Sequence, residues 1–330
     1  LHNMMVALVR NEVIKMLKKK RILVIVLILG VLIPIFTYAR MVVAQNALEK
    51  IGSDWRLEIQ QQITDYQNTL SSNRTPEEFK KWRRVAVQQL QYYLDHDVNP
   101  NSPNGVTFAR EFMSNSVTLF FPLLVMAVAS DIVSSERSGG TIKMLLTRPV
   151  RRWKILTSKL IATTLFISLI VTIAAVMSYV ISGAVFGYKG WTEPVFTGFQ
   201  TVGASVDTAN VHAVPQWLYM IMQSGLIWFS ALSVGCLALM VSVLVRSTAA
   251  SIVTMMAVII AGTILTNMAS AWTSAKYLFM VNLNLANYLQ GSPPPIEGMN
   301  LMFSVTVLSV WSVAALVIAY RVFTKQDILN

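Results

Sequence analysis

Three histidines and one cysteine are all the chain offers to soft-metal or thiol chemistry, and they stand far apart. His2, His96 and His212 lie in separate polar segments, and no HExxH pair occurs. Cys236 sits in an apolar run, where it makes no CxxC, zinc set or intrachain disulfide and reads as a small buried hydrophobe. No GxxxxGK(S/T) phosphate loop is present, and no nucleophile–base pair is visible in the spacing. The informative residues fall instead in one basic stretch, 131–159, between two long apolar runs. Gly139-Gly140 breaks an incoming helix, and Pro149 closes the next turn or opens a new helix. Between them Thr141 to Thr147 make about two helical turns. Ile142, Leu145 and Leu146 share one face, with Lys143 and Thr147 on the other. The chemistry on offer is mechanical: a short amphipathic helix at the end of a membrane hairpin, with an apolar face for something to grip. A basic, semi-helical loop is also what positive charge inside gives any cytoplasmic connection.

The order of residues adds to this. Glu136, Gly140-Thr141, Leu145-Leu146, Pro149, Arg152 and Lys159 follow the pattern E–x3–GT–x3–LL–x2–P–x2–R–x6–K. This resembles the loop between the second and third spans of ATP-binding cassette (ABC) exporter permeases of the type-two superfamily. The resemblance extends to span number and order, and is weakest in the two larger outer segments. It implies that residues 134–152 carry a coupling helix that docks in a cleft of a separate ABC ATPase subunit. Ile142, Leu145 and Leu146 would form the docking face, and Gly139, Gly140 and Pro149 the helix boundaries. Glu136, Arg151 and Arg152 would hold the orientation through ion pairs, while Thr141 and Lys159 complete the motif. It further implies a permease that is not itself an enzyme and holds no cofactor, with ATP and Mg bound by the partner. A second permease copy or paralogue would complete the transporter in a bacterial cytoplasmic (plasma) membrane.

The elements that must position this loop are apolar. Of 330 residues, 54% are hydrophobic and 13% charged, with several runs near span length, which makes the chain a polytopic membrane protein. The net charge of +11 lies largely beside those runs, so its partner is an anionic lipid surface rather than nucleic acid. The fold expected is all-α, with six spans near 22–43, 112–133, 153–186, 216–245, 249–272 and 299–320, in a single membrane domain over 1–330. Both termini are placed in the cytoplasm. The Lys18–Arg21 cluster fixes the first span's start there. Its apolar core is too long for a secretory signal.

Within residues 1–21, positions 3–19 read as an amphipathic interfacial helix: Val6, Val9, Val13, Met16 and Leu17 gather opposite Asn11, Lys15 and Lys18. The insert 45–110 reads as an extracytoplasmic helical hairpin, its second helix capped by Thr75 with Pro76 at the first position and Glu78 at the third. Residues 187–215 read as an outer loop, and 273–298 as a re-entrant or surface segment. Asp131 reads as an interfacial carboxylate near Arg137 or Lys143. Two other classes stay open: a membrane sensor whose hairpin binds a ligand, and an ion-driven secondary transporter, although charged residues within the spans are few.

Overall fold

A computed structural model describes residues 2–147 and 149–326, the side chains of residues 2, 3 and 146 excepted. The chain opens with α1 (His2–Lys18), turns at Lys20 in the left-handed region, and enters α2 (Arg21–Ile51). α2 runs unbroken through Pro34 and past the expected end near residue 43, as far as Gly52 at φ +93°. The hairpin helices α3 (Trp55–Leu70) and α4 (Glu77–Asp95) follow. Asp54 caps α3 by accepting from the Arg56 amide. α4 departs from the expected cap: Pro76 occupies that position, and the Thr75 hydroxyl donates to the Thr69 carbonyl instead.

The second span is not one helix. It begins earlier than residue 112, as α5 (Gly105–Asn115), and resumes as α6 (Phe120–Ala129) after a 68° bend. Pro122 supplies the reason. It has no N–H to bond the carbonyl of Thr118, and its ring crowds that carbonyl, so Pro122 is tolerated only in the first turn of a new helix. The connecting loop carries α7 (Ser134–Ser138) and α8 (Thr141–Leu146), and α9 (Arg152–Phe186) then spans the bundle.

Residues 187–215, expected as a loop, form two nested antiparallel ribbons, and the other elements are helical, in line with the all-α class expected. β1 (Pro194–Thr197) pairs with β4 (His212–Pro215), and β2 (Gln200–Val202) with β3 (Ser205–Asp207). Val195, Phe196, Val202, Val206 and Val214 are the β-branched and aromatic residues that suit such pairing. The ribbon is held to α4 by Gln88, which accepts from the Val206 amide at 2.8 Å and donates to the Ala204 carbonyl at 3.0 Å. Tyr92 and Tyr93 pack on Phe196 and Phe199.

α10 (Gln216–Leu244) and α11 (Thr248–Met268) come next, then short 3-10 turns and α12 (Ala286–Gln290), and finally α13 (Leu301–Lys325). The segment before α13 is tucked inward: Leu283, Leu285 and Ala286 have no exposure, and Ser230 of α10 donates to the Leu283 carbonyl. Five helices, α2, α9, α10, α11 and α13, are long and apolar enough to cross a membrane, and the bent α5–α6 pair makes a sixth crossing if counted as one. Of α10's most apolar stretch 72% is buried, against 17% for α13 and 22% for α2 and α11. α10 is therefore the central pillar, and the other three turn their apolar faces outward.

Candidate coupling site at the junction of α1, α7 and α9

α7 lies where six elements meet. The Ser242 hydroxyl, near the end of α10, accepts from the amides of Val133 and Ser134 at 2.8 and 3.1 Å, satisfying donors that a helix start leaves open. Arg137 donates to the Val243 carbonyl at 2.7 Å and to the Gln326 side chain beyond α13. Ser138 shares a 2.9 Å hydrogen bond with Thr248 at the start of α11.

The centre of the junction is a quartet of alternating charges. Lys159 of α9, with no solvent exposure, places Nζ 3.0 Å from Glu12 Oε2 and 2.8 Å from Glu136 Oε2. Lys15 of α1 places its own Nζ 3.0 Å from Glu12 and 2.8 Å from Glu136. Each carboxylate thus touches both ammonium groups, and the set is neutral. Neutrality is what makes burial tolerable, since one uncompensated charge here would cost several kcal/mol. Burial opposes the charge on Lys15, but Glu136 and Glu12 outweigh it and raise its pKa above the usual 10.5.

A second ion set lies beside it. Asp131 receives a bidentate fork from Arg21, with Nη2 to Oδ2 at 2.6 Å, and Lys19 stands 3.6 Å away. The expected neighbours Arg137 and Lys143 do not serve it; Arg21 reaches it because α2 starts beside the end of α6. Burial lowers the pKa of Lys19, the opposite direction from Lys15, with Asp131 offsetting only part of the effect.

These contacts correct several expectations. Glu136 is paired with Lys15 and Lys159, not with Arg151 or Arg152. Arg151 stands exposed at the N-cap of α9 and makes no ion pair among the described residues. Arg152 donates to the Thr324 and Gln326 carbonyls, at 3.3 and 2.8 Å, and so holds the end of α13. Gly140 takes φ +71° and starts α8, whereas Gly139 ends α7 at an ordinary φ of −84°. The Thr141 hydroxyl donates to the Glu136 carbonyl at 3.4 Å, and Pro149 lies exposed in the bend after α8.

Of the face expected to dock, Ile142 is turned inward. Ile142 is 4% exposed and belongs to the main core, so it anchors α8 to its own chain. Met144 is 68% exposed and Leu145 is half-buried. The Leu146 side chain lies outside the described residues. In α1, Glu12 and Met16 point inward, Lys15 turns to the quartet, and Val6 and Leu17 face outward, so the apolar stripe is divided between the core and the outside. The signal for this was Glu12, a lone acid in a basic helix.

The architecture is that of a multi-pass helical membrane protein. The chain belongs to the family described as Protein of unknown function (DUF2705), whose profile matches residues 78–329. It is similar to the Uncharacterized protein YhcI of Bacillus subtilis (strain 168), 26% identical over 336 residues, covering 99% of this chain and 100% of that protein. It is also similar to the Uncharacterized membrane protein YdbK of the same organism, 26% identical over 215 residues, covering 64% of this chain and 80% of that one.

Proposed function

We propose that this chain is the permease subunit of an ATP-driven ABC transporter of the exporter type, working in a bacterial cytoplasmic membrane as a dimer of permeases with two separate ATPase subunits. The observation that carries the reading is the buried quartet of Glu12, Lys15, Glu136 and Lys159, immediately behind α8. It joins the interfacial helix, the turn before α8 and the start of a 35-residue spanning helix. A push on α8 would therefore move α1 and α9 together. Among the described side chains of α8, Met144 and Lys143 project outward, Leu145 is half-buried and Ile142 is inside, the arrangement a docking helix needs.

In the proposed cycle, ATP closes the two ATPase subunits on each other and moves the clefts that hold α8. The motion passes through the quartet into α9, and through Arg152 and Arg137 into the end of α13. ATP can shift the spans between two states only if the ATPase contacts α8 differently in each. Co-expression with an ATPase from an adjacent reading frame tests this. The two should purify together, and Leu145→Glu should abolish the association while leaving membrane insertion and the thermal transition unchanged. Unchanged association and transport in Leu145→Glu would count against the role.

A further inference from the structure

The break between α5 and α6 leaves a cavity that the coupling machinery does not use. A cleft of about 490 Å³ lies between α2 and the α5–α6 elbow, walled by Leu32, Phe36, Val43, Phe112, Leu119 and Phe120. Phe36 and Leu119 are 51% and 41% exposed, so its rim opens sideways toward lipid. Along α2, Leu32 to Val43 spans about 16 Å, roughly half of a ~30 Å hydrocarbon layer. The cleft is as deep as one leaflet, the leaflet nearer the α3–α4 hairpin.

At that end the cleft meets a second chamber of about 480 Å³, under α3 and the 99–104 turn. Its lining is mixed: Leu48, Ile51 and Phe186 on one side, and Glu58 and Asp65 of α3 with Asn101 on the other. Arg40, Val43, Phe108 and Glu111 line both chambers, and Arg40 donates to Glu111 at 2.9 Å where they join. Three carboxylates, Glu58, Asp65 and Glu111, therefore face a single cation that one of them already engages. Among the described residues the Asp65 carboxylate accepts from the Gln61 side-chain amide at 3.0 Å and has no cationic partner, and Glu58 has no ion-pair partner. Each chamber is of the size that holds a small organic molecule.

We infer that the two chambers form one binding site for an amphiphile with a single alkyl tail and a cationic amine head, the tail in the α2/α5–α6 cleft and the head beside Glu58, Asp65 and Glu111. Tail selection is apolar and tolerant. Head selection follows from the acidic excess, which attracts an ammonium group and repels a sulfate or phosphate. That such a molecule is the cargo rests on the transporter reading; that it binds does not.

The test uses the full chain in phosphatidylcholine nanodiscs at neutral pH, with dodecylamine carrying a diazirine near its tail end, compared with dodecyl sulfate carrying the same group. The amine probe should label the peptides containing Phe36 and Phe112–Phe120, in competition with plain dodecylamine and not with dodecyl sulfate. The double variant Glu58→Gln/Asp65→Asn, which removes two of the chamber's three carboxylates, should lower labelling about ten-fold. Leu32→Trp, filling the cleft, should remove it while the double variant's chamber stays intact. Equal labelling by both probes, labels spread evenly over α13, or undiminished labelling in both variants would overturn the proposal. Loss of labelling specificity with the ATPase complex intact discards only the ligand class. Retained labelling with no ATPase association discards only the coupling reading.

Discussion

Lys159 Nζ stands 2.8 Å from Glu136 Oε2 with no water-accessible surface on the lysine, at the point where a spanning helix meets the turn before α8. The contact is electrostatic rather than an aligned hydrogen bond, since Glu136 Oε2 accepts none. Its strength depends on the second lysine and second glutamate that keep the set neutral.

Lys159→Met leaves two buried carboxylates facing one half-exposed ammonium group, and should destabilise the chain by about 3–5 kcal/mol. Adding Glu136→Leu keeps the Glu12–Lys15 pair and should recover most of that loss. Denaturation of the purified chain in detergent measures both. A single-variant cost below about 1 kcal/mol, the range of a surface pair, would mean that the quartet is solvated.

Gly140→Ala should cost about 1–2 kcal/mol, because φ +71° sets an alanine Cβ against the following carbonyl. Gly139→Ala has an ordinary φ, and its Cβ would meet only the Ser135 carbonyl at 3.1 Å. It should therefore be the milder change. Limited proteolysis of the 134–152 loop ranks the two, and the reverse order would show that α8 does not start at Gly140.

Met144→Glu should weaken ATPase association by about 2 kcal/mol or more, as loss of a buried anchor does. Ile142→Ala should act through stability instead, since Ile142 fills this chain's own core. Binding measured beside thermal unfolding separates these effects. An Ile142→Ala variant that unfolds normally but binds no ATPase would reverse the assignment.

The raised pKa of Lys15 gives a pH dependence with a definite sign. Its contribution to docking α1 is fully present below the ordinary 10.5 and is lost as pH rises through the higher folded value. Lys19 works in the other sense: its lowered pKa is a small penalty, relieved when it deprotonates. Protease cleavage within α1 should stay constant from neutral pH to about 10 and rise above 10.5, and Lys15→Met should remove that rise. A rise already present at pH 8 would contradict the assignment.

The spanning helices were legible because each carries an apolar run close to membrane length, and that signal needs no tertiary information. The positions of α9, α10 and α11 follow it within a few residues. The break at 116–119 was harder to place. Pro122 is visible, but a proline inside a span can bend a helix or restart it, and only the packing of α5 against α9 decides. The ribbon at 194–215 was missed because its strands are three or four residues long, too short for alternation to register. At the candidate site, Gly140 could be read as a helix breaker, and Glu136 and Lys159 only through the loop's resemblance to ABC permeases. Their partners could not: Glu12 and Lys15 lie at the other end of a fold that sequence distance hides, and the apolar stripe of α1 says nothing of the ion pairs beside it.

The most direct test of the account is photo-crosslinking from position 144. With a benzophenone amino acid in place of Met144 and the proposed ABC ATPase partner co-expressed, irradiation should give one adduct to the ATPase, and none from the same group at Thr69 in the α3–α4 hairpin. An adduct from position 69, or none from 144 in a complex isolated intact, would contradict the claim that α8 is where the ATPase grips this chain.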